Sequence, residues 1–486
     1  MLENKYTVIK RIGPYLLGLC LLVSAGALLW APLGRGVERV RSTLPAPSPD
    51  DGLEGTLLHE ARLVRAGEPL YRPLVPDEFV SAPYTPLHTL ALAATAPDPA
   101  RPFTPGRTIS LLALVAVALA VFGFVSIHTR LVWLGVIAAL LLLAFPPAQL
   151  WATRIKPDML ALCFTASGLL VASLGGGRWA DWAALLFALA FWTKQTALIA
   201  PFAVGVNLLL TDWRRAARYA LTYGLALGAP YLALDLATGR MLTGHIWGLH
   251  RSEWWNVALF RKYAGLLRWS LPLLGLALIA LPQARRNYVS RQALLYAGLA
   301  PMTLYGAGEI GAHHNHLLET MLAWTMAGCL GAGLAWAWAR PGSWRLGRAA
   351  LAAAGLLLTA RLAWPTPAWY GGEFSPPARE RFATYIASKP GEVLVDDPAL
   401  ALLAGKPIRF DDPSTMGPAI TSGVWDPSTL HRMIDQQQFS VILLPLDLRV
   451  EPRDAAGRWT EETLALINQR YQLEFADELF SYVPKP

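Results

Sequence analysis

Charged side chains are scarce: Asp, Glu, Lys and Arg make up 16% of the 486 residues, while 54% are hydrophobic. Soluble globular chains carry roughly 25% charged residues, so one water-soluble core is excluded as the whole account. Cysteine is scarcer still. Cys20, Cys163 and Cys329 all fall inside apolar runs, which excludes a disulfide framework and a thiolate metal site. After residue 365 neither a Gly-x-Gly-x-x-Gly string nor a P-loop is present, so a nucleotide-binding loop of those types is not expected in the C-terminal part. The net charge of +8 forms no basic stripe. Its Arg residues sit in short loops between apolar runs, a membrane-topology pattern, and no nucleic-acid partner is expected.

What the chain has is apolar length. A hydrocarbon core about 30 Å thick takes about 20 residues of helix, and about eleven runs before residue 366 approach that length. They are 12–33, 107–127, 131–150, 158–175, 180–193, 196–210, 216–237, 265–282, 292–308, 316–339 and 349–365. Lys5, Lys10 and Arg11 precede the first run, which is longer than a usual signal-peptide core, so a retained anchor is expected. With a cytoplasmic N-terminus, Arg130, Arg178, Arg214, Arg215, Arg218, Arg285, Arg286, Arg291, Arg340, Arg345 and Arg348 all fall in short cytoplasmic loops. A span over 84–96 would reverse this parity, but that stretch is too short and Pro-flanked, and reads as an interfacial helix. The pattern is that of an α-helical polytopic protein of the cytoplasmic (inner) membrane, with the lipid bilayer as its surroundings. It divides into a transmembrane domain 1–365, whose first outer loop is 34–106, and a soluble extracytoplasmic α/β domain 366–486.

That parity gathers the first loop, the turn 151–158, the turn at Lys194, the loop 238–264 and the turn 309–316 on one outer face. In the first loop, Leu53, Leu57, Ala61 and Val64 recur at helical spacing, predicting an amphipathic helix that rests on the membrane and ends at Gly67. Asp50 and Asp51 stand at its start. Asp51 with Glu54 satisfies a capping box, which is a purely structural account. A cap needs one acid, however, and the helix N-terminus would keep Asp50 ionised, as a general base requires. Asp158 follows Pro157 at the start of a span, where an N-cap role competes with a functional one. Lys194 stands between two apolar runs, a costly place for a charge and so a functional candidate. Arg154 and Lys156 suit an anionic ligand, with interfacial snorkelling as the alternative. The run His313-His314-Asn315-His316 lacks the helical two-His spacing of a zinc site. Asn315 and Glu319, four apart, are expected to share a helix face. Trp247, His250, Trp254 and Trp255 could stack on sugars, although Trp is equally an interface residue.

Asp50-Asp51-Gly52 leading into a helix that ends at Gly67, then Pro69-Leu70-Tyr71, then Ala82-Pro83-Tyr84-Thr85-Pro86-Leu87-His88, resembles the first outer loop of GT-C glycosyltransferases. These include protein O-mannosyltransferases and lipid A aminoarabinose transferases. The family pattern usually has Asp-Glu and then a Pro-Pro-Leu-Tyr-Tyr-like stretch; here Asp51 replaces the Glu, Thr85 the first Pro and His88 a Tyr. The resemblance continues in order through Arg154-Ile155-Lys156-Pro157-Asp158, Lys194-Gln195 and His313-His314-Asn315-His316. It implies inverting transfer of a sugar from a polyprenyl-phosphate donor to an acceptor hydroxyl, the acceptor being a glycan, lipid or protein. Asp50 would be the base, with Asp51 and Asp158 organising the site. Arg154, Lys156 and Lys194 would face the donor phosphate, and Tyr84, His88, Asn315 and Glu319 the substrates. Asp50, Asp51 and Asp158 would also suit a divalent cation, Mg or Mn.

After residue 365 an α/β alternation is predicted: helix 376–388, strand 392–396, helix 398–404, strand 407–410, helix 427–437, strand 439–445, helix 460–470 and strand 471–483. Asp396-Asp397-Pro398 and Asp411-Asp412-Pro413 read as turn and cap chemistry rather than metal ligands. Two alternatives remain. A transporter or flippase of lipid-linked glycans would show inverted repeats and midplane polar groups, whereas no repeat is evident here and the polar candidates lie at span ends. A non-catalytic assembly subunit is the other.

Overall fold

The computed structural model describes residues 2–96, 98–249, 255–309, 312–337, 343–362, 376–451, 453–455 and 457–486. Ten helices lead the chain: α1 Leu2–Thr43, α2 Gly52–Arg65, α3 Leu87–Ala93, α4 Thr104–Thr129, α5 Val132–Leu143, α6 Pro146–Trp151, α7 Asp158–Ser173, α8 Ala180–Thr193, α9 Ile199–Leu209 and α10 Trp213–Ala237. Six described segments are long and apolar enough to cross a membrane: Leu16–Thr43, Thr104–Thr129, Asp158–Gly176, Trp213–Ala237, Val257–Ala284 and His314–Ala337. Val132–Leu143, Ala180–Thr193, Ile199–Leu209 and Ala349–Leu362 are shorter apolar helices. The chain is polytopic, and its helices fall on the runs seen in the sequence.

Two runs differ in a way that shapes the site. The predicted span 131–150 breaks at Phe145, which is extended ahead of Pro146 and Pro147, so α6 becomes a separate short helix. The helix of the first span also runs past residue 33: α1 continues to Thr43 and carries Arg39 beyond the apolar run. Close helix contact relies on small residues. A Cβ on Gly331 would lie 2.0 Å from the Leu276 carbonyl oxygen, so that crossing admits only hydrogen there.

The C-terminal part forms a four-stranded sheet ordered β1-β2-β4-β3, with β1 Glu392–Val395, β2 Phe439–Leu444, β3 Tyr471–Ala476 and β4 Phe480–Pro484. β1 and β2 are parallel; β3 and β4 form the antiparallel end. Alternation sends Val393, Val395, Val441 and Leu443 toward Phe382 and Ile386 on one face, while Leu394, Ile442 and Leu444 meet Met433, Ile434 and Ile467 on the other. The predicted strand 407–410 makes only an isolated bridge from Phe410 to Phe79 of the first loop, and 471–483 divides into two strands. Asp397 and Asp412 cap the helices Pro398–Leu403 and Pro413–Thr421, as the Asp-Pro pairs suggested.

The C-terminal sheet and the first loop are stitched together. Phe79 is fully buried in the C-terminal core, edge-on to Trp425. Its amide donates to the Arg409 carbonyl at 2.7 Å and its carbonyl accepts from the Asp411 amide at 3.0 Å. The expected membrane-resting helix is therefore corrected: α2 buries Leu57, Leu58 and Ala61 among Ile155, Ala399 and Leu402, between the membrane helices and the C-terminal part. A Cβ on Gly55 would meet the Ala399 nitrogen at 2.2 Å, which shows how closely the two backbones approach.

Candidate functional site

The start of α2, the end of α1, and the segment between α6 and α7 converge on a ladder of alternating charges. Arg39 Nη2 donates to Asp50 Oδ2 at 2.5 Å, and Arg154 Nε donates to the same oxygen at 2.6 Å. Arg154 Nη1 continues to Asp51 Oδ2 at 3.0 Å, and Lys156 Nζ lies 2.7 Å from Asp51 Oδ1. Lys156 is also near enough to act electrostatically on Asp158, whose Oδ1 accepts from Lys194 Nζ at 2.5 Å and from Asn315 Nδ2 at 3.0 Å. Asp50, Asp51 and Asp158 therefore belong to one connected network on one side of the bundle.

Burial opposes ionisation of Asp50, but the charges of Arg154 and Arg39 outweigh it and hold the carboxyl below its ordinary value. Asp51 is held well below its ordinary value in the same manner, burial being overcome by Lys156, Arg154 and His313. Arg154 is pushed upward: burial works against its charge, and Asp51 and Asp50 more than compensate. The Trp151 ring covers its guanidinium with the centroid 5.4 Å away.

The capping box forms in an altered way. Asp51 accepts from the Leu53 amide at 3.0 Å, but Glu54 Oε2 reaches the Asp50 amide, one residue before the cap, at 2.6 Å. Glu54 is fully buried and pairs with the equally buried Arg107 of α4 at 2.7 Å, while its Oε1 accepts from the Ile155 amide at 2.8 Å. Arg107 spends its remaining donors on the carbonyls of Thr43, Ala46 and Ser48. Glu54 and Arg107 are thus the clamp that sets the acidic pair against the 154–156 segment. The sequence reading missed this clamp, as it did Arg39: Glu54 read as a cap residue and Arg107 as the edge of a span.

Around Lys194, the loop before α3 packs against the end of α8. The Tyr84 ring lies 5.9 Å from Lys194 Nζ, Thr85 Oγ1 donates to the Phe191 carbonyl at 2.7 Å, and Gln195 Nε2 donates to the Pro83 carbonyl at 2.8 Å. His88 is 1% exposed, and neither ring nitrogen has a hydrogen-bond partner among the described residues. Asn315 and Glu319 do not act together as expected. Asn315 lies in a 3-10 turn, His314–Leu317, and reaches Asp158, whereas the half-buried Glu319 packs at Tyr296 and the Ala200 backbone. Of the Trp-rich loop, Trp247 and Trp255 are both partly exposed, with Trp255 stacked on Tyr305; His250 and Trp254 lie outside the described residues.

The expected Mg or Mn site at Asp50, Asp51 and Asp158 does not fit. Among the described residues no group of three or more His, Cys, Asp or Glu converges to hold a metal ion, and each of the three carboxylates is closed by Arg or Lys. The cations called for a donor phosphate, Arg154, Lys156 and Lys194, are in turn occupied by these acids.

No family model and no curated protein matches the chain. Solved structures do. ArnT from Cupriavidus metallidurans bound to undecaprenyl phosphate is 14% identical with a TM-score of 0.55, over 97% of this chain and 98% of that one. The Archaeoglobus fulgidus oligosaccharyltransferase tethered with an acceptor peptide is 12% identical with a TM-score of 0.56, over 99% of this chain and 75% of that one. AglB from the same organism, in complex with an inhibitory peptide and a dolichol-phosphate, is 10% identical with a TM-score of 0.57, over 98% and 75%. The chain accordingly shares its fold with these solved structures over nearly its whole length.

Proposed function

We propose that the chain is a membrane glycosyltransferase that moves a sugar from a polyprenyl-phosphate donor to an acceptor hydroxyl on the extracytoplasmic face of the inner membrane, with inversion. The observation that carries the reading is the ladder Arg39–Asp50–Arg154–Asp51–Lys156 beside Asp158–Lys194, a set of carboxylates and cations at the ends of apolar helices. Two of the structures sharing the fold were solved with undecaprenyl phosphate or a dolichol-phosphate, which supports a lipid-phosphate leaving group here.

Asp50 takes the acceptor proton as the hydroxyl oxygen attacks the anomeric carbon and the bond to the phosphate oxygen breaks. Clamped between Arg39 and Arg154, a carboxylate held below its ordinary value is a weak base. A donor phosphate competes for Arg154 and Lys156, and each cation it draws away raises the basicity of the acidic pair. The same cations then meet the negative charge that develops on the leaving phosphate. Asp158, held by Lys194 and Asn315, orients the sugar side.

Purified protein given polyprenyl-phosphate sugars and candidate acceptors should release polyprenyl phosphate only when an acceptor is present, with an inverted product. Asp50→Asn should lower turnover by about 10²- to 10⁴-fold in protein that still folds, with thermal unfolding shifted down by the lost pairing to Arg39 and Arg154. Equal turnover by the Asn variant would overturn the assignment of the base. No release from any donor by folded protein would favour a transporter or a non-catalytic subunit.

A further inference from the structure

The ladder accounts for the charges of the site but leaves His88 without a role. This side chain is 1% exposed, in the first turn of α3, and both its nitrogens lack partners among the described residues. A buried polar atom left unpaired is costly, so two in one ring mark a place where a ligand completes the bonding. Burial pushes the imidazole down to about 4, against the pull of nearby Asp158, so near neutral pH the ring has one donor and one acceptor.

The position of His88 is fixed in advance. Ala82 adopts φ +37°, a conformation L residues rarely take, and the chain that follows is pinned by Tyr71 Oη to the Tyr84 carbonyl at 2.7 Å, by Thr85 to Phe191 and by Gln195 to Pro83. The same loop places the Tyr84 ring beside Lys194, the partner of Asp158. A phosphate oxygen at neutral pH mainly accepts, and a prenyl chain neither gives nor takes a hydrogen bond. A sugar hydroxyl does both, which matches a neutral imidazole.

We propose that His88 is a specificity residue that reads one hydroxyl of the transferred sugar, next to Asp158, and this inference rests on the glycosyltransferase reading above. The test pairs His88→Phe and His88→Asn with a panel of polyprenyl-phosphate hexoses and pentoses and their monodeoxy forms. The parent protein should reject one monodeoxy donor by about 10- to 100-fold in kcat/KM, the size of one lost buried hydrogen bond. His88→Phe should lose that discrimination, His88→Asn should keep part of it, and inhibition by sugar-free polyprenyl phosphate should be unchanged in both. If His88→Phe still discriminates against the same deoxy donor, a buried water satisfies the ring and the proposal fails. It fails too if affinity for sugar-free polyprenyl phosphate drops as much as affinity for the donor. Thermal stabilisation by ligand separates this from failure of the enzymatic reading. Without any turnover, polyprenyl-phosphate sugars should still stabilise the parent more than polyprenyl phosphate does, and His88→Phe should reduce the difference. Equal stabilisation of the parent by both ligands, or an unchanged difference in the variant, overturns the role of His88.

Discussion

Replacing Arg107 with Met isolates the clamp beneath the acidic pair. Both Arg107 and Glu54 are fully buried, and the guanidinium donates to both Glu54 oxygens and to three backbone carbonyls. Breaking a buried ion pair by removing one partner costs about 3–5 kcal/mol, because the other charge remains unpaired in a low-dielectric site. Against a typical net stability of about 5–15 kcal/mol, that is a large fraction, and thermal unfolding in detergent should drop clearly. The double variant Arg107→Met/Glu54→Gln removes the orphaned charge and should regain part of the loss. Turnover should not return with it. Glu54 accepts from the amides of both Asp50 and Ile155, and a Gln side chain cannot accept through both of its terminal atoms. A double variant no more stable than Arg107→Met, or a single variant as stable as the parent, would refute the clamp.

Two further outcomes follow from the contact between the first loop and the C-terminal part. Glu60 is buried beside Ser81 and Asp412, and burial together with Asp412 raises it from 4.5 to about 8. The folded state therefore holds a proton that the unfolded chain releases, so thermal stability should fall as pH rises from about 5 to about 8, and Glu60→Gln should flatten that slope; parallel slopes would count against it. Gly55→Ala puts a Cβ 2.2 Å from the Ala399 nitrogen, so the C-terminal part should be released faster by limited proteolysis, and an unaltered cleavage rate would show that the close approach is not needed.

The sequence by itself determined the scarcity of charge, the apolar runs, the helix opened by Asp51 and ended near Gly67, and the segments that carry the acids and cations. These are local properties: hydrophobic length, helical spacing and proline punctuation act within a few residues. The helix break at Phe145 was legible in Pro146-Pro147 but was read through as one span. Only the tertiary structure decided which charges meet. Arg39 and Arg154 close on Asp50 from positions 11 and 104 residues away, and Arg107 reaches Glu54 across 53. It also decided that α2 is enclosed rather than laid on the membrane, and that Phe79 enters the C-terminal core. Neither periodicity nor spacing encodes such pairings, because a buried charge is selected by the partner that neutralises it, and that partner is brought near only when the helices and the sheet pack together.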